Sequence, residues 1–133
     1  VQVGTDGGLN ADEDYIAYCF HSVEGYSKIG TYEGNGNADG TFVSTGSISP
    51  AMVIIKNIDD AQDWSIIDNK RPGYNVVDDI LSPNLNNAED AGTKLDFLSN
   101  GFKCRQGDDI NNSGKTYLFI AFASHPFKYS RGS

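Results

Sequence analysis

The segment that most limits the possible folds is Thr116–Ala123, Thr-Tyr-Leu-Phe-Ile-Ala-Phe-Ala. Leu118, Ile120 and Phe122 alternate with Tyr117, Phe119, Ala121 and Ala123, so both sides of an extended chain would be apolar. Such a strand belongs in the middle of a sheet with material above and below it. Periodicity alone also permits a buried helical segment. Aromatic and β-branched content, shortness and the preceding Asn112-Ser113-Gly114 favour a strand. Tyr15-Ile16-Ala17-Tyr18-Cys19-Phe20 has the same pattern near the other end of the chain and predicts a second interior strand.

The two segments sit in a longer correspondence. Cys104 matches Val3, Ile110 matches Leu9 and Asn111 matches Asn10. After one inserted residue, Tyr117 matches Tyr15, Phe122 matches Phe20 and Ser124 matches Ser22. This reads as an internal repeat of about 100 residues, the size of a whole sandwich. Residues 1–25 are then the closing hairpin of a preceding repeat or the first strands of the sandwich. Residues 26–133 form a complete sandwich unit, with one compact domain overall. A chain beginning at Val1 is expected to continue upstream.

Between the two copies, short apolar runs alternate with clusters of Gly, Asn, Asp and Ser. That punctuation predicts an all-β chain. Tyr26–Tyr32 is expected as a half-exposed strand, and Thr41–Thr45 as its return across a glycine-rich hairpin loop. Pro50–Lys56 is a buried strand that opens on proline, with Asp63–Asp68 pairing back to it. Leu95–Leu98 and Phe102–Arg105 flank Asn100-Gly101, a strong hairpin signal. Ser82-Pro83 has the form of a helix cap followed by proline in the first turn, so one short helix is allowed near 82–90. The fold class is therefore an antiparallel β-sandwich, jelly-roll or lectin-like.

The net charge of −8 and pI near 4.5 oppose nucleic acid, whose phosphates require a basic surface. They also oppose anionic membranes, and no apolar run is long enough to insert as a helix. Cys19 and Cys104 both fall in expected strands and read as two buried thiols. His21 and His125 follow the repeated strand and read as strand-end residues at the core's edge, without zinc-ligand spacing. Asn35-x-Asn37-x-Asp39-Gly40 mimics the start of a calcium loop, but Gly46 stands where the bidentate glutamate belongs. Asn111-Asn112-Ser113 is a formal glycosylation sequon. No Gly-x-Ser-x-Gly, P-loop or dinucleotide fingerprint occurs, and adjacent Ser124-His125 is poor geometry for a nucleophile and its base. No metal, cofactor or catalytic set is expected, and the acidic pairs read as solvated loops.

One constellation is a candidate binding site: Trp64, Asp68, Asn69, Arg71 and Tyr74. An aromatic platform beside carboxylate, amide and guanidinium groups suits a sugar ring, whose CH face stacks while its hydroxyls hydrogen-bond. The plainer reading places Trp64 in the core, with Arg71 pairing a nearby aspartate to pin its loop.

Gly4–Asn10, Tyr15–Phe20, Gly34–Gly40, Trp64–Arg71 (WSIIDNKR) and Asp96–Lys103 together resemble a domain of virion and tail-fibre-like proteins of marine tailed phages, including cyanophages. The resemblance covers nearly the whole chain and brings no catalytic residues with it. It implies a non-enzymatic virion module of a tail fibre or appendage that attaches to host-surface glycan. The alternatives are a capsid decoration or cement protein and, remotely, a glycan-cleaving domain. The partners implied are other virion proteins and further copies of the chain, with a trimer as the analogy.

Overall fold

The computed structural model describes residues 14–71 and 75–126. Eight strands follow one another: β1 (Ser27–Glu33), β2 (Phe42–Ser44), β3 (Pro50–Asn57), β4 (Trp64–Asp68), β5 (Val77–Ile80), β6 (Asp90–Leu98), β7 (Gly101–Cys104) and β8 (Thr116–Ala123). They form two four-stranded sheets, ordered β1-β8-β3-β4 and β2-β7-β6-β5. Every pairing is antiparallel. The molecule is thus the all-β sandwich expected.

A jelly roll wraps like one long folded hairpin, so its first and last strands pair. The β1–β8 and β2–β7 pairs follow that wrapping. The inner strands instead close locally, as the hairpins β3–β4 and β5–β6. The two sheets also meet along one side. Ile66 and Leu81 form an isolated bridge, with Ile66 N–H on Leu81 O at 2.8 Å and Leu81 N–H on Ile66 O at 3.0 Å.

β8 takes the interior place its pattern requires, between β1 and β3. Tyr117, Phe119 and Ala121 face the other sheet and are buried beside Val53, Ile55 and Ile67. Val43, Phe102, Cys104, Leu95, Val77 and Ile80 meet them from the opposite layer. The aromatic contacts cross the sandwich. Tyr32 stacks on Tyr117 at 5.1 Å, and Phe102 meets Tyr32 and Phe119 edge-on at 5.8 and 5.7 Å. β1 makes room with Gly30, where a Cβ would come within 2.9 Å of the Phe119 ring.

The other face of the first sheet carries an apolar row of its own, flanked by mixed rows that include Lys56 and Asp68. In register, Ile29, Ile120, Ile54 and Ile66 form one row across all four strands. Leu118 and Trp64 lie in the row on one side, Phe122 and Met52 in the row on the other. These side chains are half-buried or exposed, and no strand among the described residues lies over them.

Loop 105–115 is held to the core from below. The Tyr32 hydroxyl donates to Ile110 O at 2.7 Å, and the Tyr117 hydroxyl donates to Asp109 O at 2.8 Å while accepting Asn112 N–H at 2.9 Å. Asn111 is fully buried. Its Oδ1 accepts Asn35 N–H, and its Nδ2 donates to Asn35 Oδ1, Asn37 O and Gln106 O. The sequon asparagine is therefore an internal staple, out of reach of glycosylation in the folded chain. It also consumes the Asn35 oxygen of the calcium-like loop, while Asp39 pairs with Lys103.

Several expectations need correction. Tyr15–Phe20 is not a strand, and Ile16, Tyr18 and Phe20 are 82%, 80% and 57% exposed. A strand apolar on both faces needs neighbours on both edges, and the two interior places in the first sheet are filled by β8 and β3. Cys19 is exposed with that segment, so only Cys104 is buried. Both are free thiols. His21 and His125 are exposed rather than at the core's edge. The glycine-rich loop 34–41 is no hairpin, because β2 leaves β1 and joins the opposite sheet. No helix occurs among the described residues; Ser82–Leu85 is a turn closed by Leu85 N–H on Ser82 O at 3.0 Å. The expected Val1–Val3 strand, the Pro72-Gly73 turn, Tyr74 and the tail 127–133 lie outside the described residues.

Burial pushes the Cys104 thiol up to about 11, only partly offset by its hydrogen bond with Tyr32. One thiol per native chain, Cys19, is therefore expected to react rapidly with a water-soluble thiol reagent. The second should react only on unfolding, as mass measurement before and after denaturant will show. Asn111→Ala strips several buried partners at once and should cost roughly 2–4 kcal/mol in urea denaturation.

Candidate ligand-binding cleft

At one end of the sandwich the sheets part, leaving an open cleft of about 560 Å3, within the range of small-ligand sites. Its floor is the edge of the core, from Ile55 on β3, Ile80 on β5, Tyr117 on β8 and the neighbouring Ile110. Its walls are polar. The β3–β4 turn and β4 supply Asn57, Gln62, Asp63 and Ser65. The β5–β6 connection supplies Ser82, Asn87 and Glu89, and Asp90 and Asp109 complete the rim.

The wall next to β3 is rigid for a local reason. Asn57 is buried at the strand end, where its Oδ1 accepts the amides of Asp59 and Asp60, both at 2.9 Å. Its Nδ2 donates to Gln62 Oε1 at 3.0 Å, which fixes the turn over the cleft. Lys56 caps the same turn through Asn57 O and Gln62 O. The Tyr117 ring is held from both directions, by its stack on Tyr32 and by its hydroxyl's bonds to loop 109–112.

Two cations offset part of the rim's negative charge. Arg71 Nη1 lies 2.7 Å from Glu89, and the buried Lys94 lies 2.9 Å from Asp109 and 3.7 Å from Asp90. Asp63 accepts Asn84 Nδ2 at 2.7 Å. The cleft therefore offers amides, hydroxyls and paired carboxylates around an apolar floor. That combination suits a neutral polyhydroxyl ligand and gives no attraction to a phosphate or sulfate. The described residues contain no group of three or more His, Cys, Asp or Glu placed to share a metal ion. Ser124 Oγ lies 3.1 Å from His125 Nδ1, but no carboxylate orients that imidazole among the described residues.

Of the residues singled out from the sequence, Trp64, Asp68, Asn69 and Arg71 do not line this cleft. Trp64 opens β4 on the outer face, 37% exposed, and so is not a core residue. Asp68 shares that face at the far end of the strand. Its Oδ1 accepts the amides of Lys70 and Arg71, and its Oδ2 takes Arg71 Nε at 2.8 Å. Arg71 thus pins the loop after β4, as the plainer reading held, and reaches across to Glu89 on the cleft wall. The Asn69 backbone N–H donates to Ala51 O at 3.0 Å, while its Oδ1 is buried without a partner. Asp68, Asn69 and Arg71 form one loop. Trp64 stands apart from them, and Tyr74 is outside the described residues. Strand alternation was the available clue: the position after Trp64 must face the opposite way, and Ser65 lines the cleft.

Two aspartates here answer oppositely to pH. Burial alone would raise the Asp68 carboxyl, but the Lys70 amide and the Arg71 guanidinium outweigh it and hold it below the usual range. Burial, then the charges of Glu89 and Asp78, push the Asp79 carboxyl up. Asp68 therefore contributes stability above the ordinary aspartate pKa of ~3.9, lost as pH falls through its lowered value. Ionised Asp79 opposes folding at neutral pH and is relieved as it protonates. Asp68→Asn should lower stability at pH 7 by about 1–2 kcal/mol, and Asp79→Asn should raise the melting temperature. Both differences should fade in melts taken towards pH 3.

No curated protein and no solved structure matches this chain. A family model does match, over residues 1–126. The chain belongs to the family described as a domain of unknown function (DUF7483).

Proposed function

We propose that this domain is a non-enzymatic carbohydrate-binding module of a virion appendage, such as a tail fibre, that attaches to neutral host-surface glycan. The observation that carries the binding role is the open cleft with an Ile55, Ile80, Ile110 and Tyr117 floor under walls of amides, hydroxyls and ion-paired carboxylates. Sugar rings present one apolar face and a fringe of hydroxyls, and a rigid amphipathic trough matches both. Rigidity favours affinity, because Asn57, Gln62 and Tyr117 are already locked and lose little freedom on binding. The virion setting rests on the sequence resemblance, carried by segments such as Trp64–Arg71 and Asp96–Lys103. The rim carboxylates serve as acceptors within their ion pairs, a binding role that requires no bond cleavage.

Arrays of neutral host-surface oligosaccharides provide the test. Ser65→Leu, which fills the trough, and Asn87→Ala, which removes a rim amide, should each weaken binding at least about tenfold, or ~1.4 kcal/mol. Trp64→Ala should leave it unchanged. Loss of binding in Trp64→Ala alone would move the site to the outer face of β4. Absence of binding to any glycan, or release of free sugar on long incubation, would refute the proposal.

A further inference from the structure

Three of the four carboxylates that line the cleft face a cation. Glu89 has Arg71, and Asp90 and Asp109 share Lys94. Asp63 is held instead by a neutral amide, with Asn84 Nδ2 donating to its Oδ1 at 2.7 Å. We infer that Asp63 is the anchor of this cleft, its carboxylate accepting hydrogen bonds from two adjacent hydroxyls of one sugar ring. The inference rests on the glycan-binding reading above and narrows it, to sugars that keep a free vicinal diol and carry no acidic group.

Position supports this role. Asp63 directly precedes β4, and strand alternation turns it and Ser65 one way and Trp64 the other. Asp63 and Ser65 both line the cleft. Asn84 comes from the facing wall, in the turn that Leu85 N–H closes on Ser82 O. Its Oδ1 accepts Trp64 N–H at 3.0 Å while its Nδ2 holds Asp63. This double tie joins the two walls and orients the carboxylate before a ligand arrives, so little freedom is lost on binding.

The chemistry of the held carboxylate selects the ligand. Oδ2 has no partner among the described residues, and Oδ1 keeps a second lone pair beside the Asn84 bond. Two adjacent ring hydroxyls present neighbouring donors, and a carboxylate takes such a pair with one bond to each oxygen, as it takes the two N–H groups of a guanidinium. Hydrogen bonds to an ionised acceptor are roughly twice as strong as neutral ones. Glu89, Asp90 and Asp109 are less suited, because their charge is already answered by Arg71 and Lys94. The cleft as a whole keeps an excess of negative charge, which repels uronic and sialic acids and leaves neutral diols unopposed. Asp63 belongs to no group of His, Cys, Asp or Glu placed to share a metal ion among the described residues.

The test prints neutral gluco-, galacto- and manno-oligosaccharides on an array beside their singly deoxygenated forms and their terminal uronic acids, and applies the whole 133-residue chain. The unaltered chain should bind at least one neutral series and lose about tenfold when either hydroxyl of one vicinal pair is removed. Asp63→Asn keeps the size of the side chain and an acceptor for Asn84, and the residue is exposed outside both sheets, so the melting temperature should not move. It should weaken binding of the parent sugar about tenfold. Removal of the same hydroxyl should then cost little more, because the two changes delete one contact. The uronic acid should bind more weakly than its parent, and Asp63→Asn should narrow that gap. Three results would each overturn the inference while the glycan reading stands: parent sugar bound equally by Asp63→Asn, a deoxy penalty undiminished in that variant, or a uronic acid bound as tightly as its parent. Absence of binding to every sugar would overturn both.

Discussion

Tyr117 is the side chain on which the architecture converges. Its position in an interior strand buries it, and its ring stacks on Tyr32 across the β1–β8 pair. Burying a phenol without a partner for its hydroxyl is costly, and here the hydroxyl meets Asp109 O and Asn112 N–H. Satisfying that one polar atom draws loop 109–112 onto the end of the sandwich. The same ring forms part of the cleft floor. Core packing, loop placement and the candidate site thus share a single residue.

The loop held there is closed a second time from above by Asn111. A fully buried amide is favourable only when each of its atoms is met, and two chain segments, at Asn35–Asn37 and at Gln106, supply the partners. This interlocks the crossing from β1 to β2 with the approach to β8. The glycine-rich stretch 34–41 can then pass between layers without a strand of its own. The arrangement leaves the opposite wall of the cleft to the β3–β4 turn, which Asn57 rigidifies by the same device. A buried asparagine side chain replaces missing backbone partners in both places.

Charge and hydrophobicity are distributed to different ends of the molecule. Carboxylates gather around the cleft, where Arg71 and Lys94 neutralise part of the local field. The outer face of the first sheet carries isoleucines in register instead. A solvated sheet face normally alternates to polar residues. The glycan-binding proposal draws on the cleft and leaves that face untouched.

Alternation, turn dipeptides and proline placement made the strand content legible. β3 opens on Pro50, the β6–β7 turn falls at Ser99-Asn100 with Gly101 opening β7, and β8 is interior because both of its faces are apolar. Those signals are local, acting over a few residues. What they could not convey is which neighbour each strand chooses. Tyr15–Phe20 has the pattern of β8, yet the interior places of that sheet are held by β8 and β3. Trp64 lay on the right strand with its side chain turned outward, while Ser65, Asn57 and Asn87 entered the cleft only because distant turns close over it. Local residue chemistry dictated that these segments become strands. Competition for sheet edges and the satisfaction of buried polar atoms, both properties of the assembled chain, decided where they lie and which side chains meet.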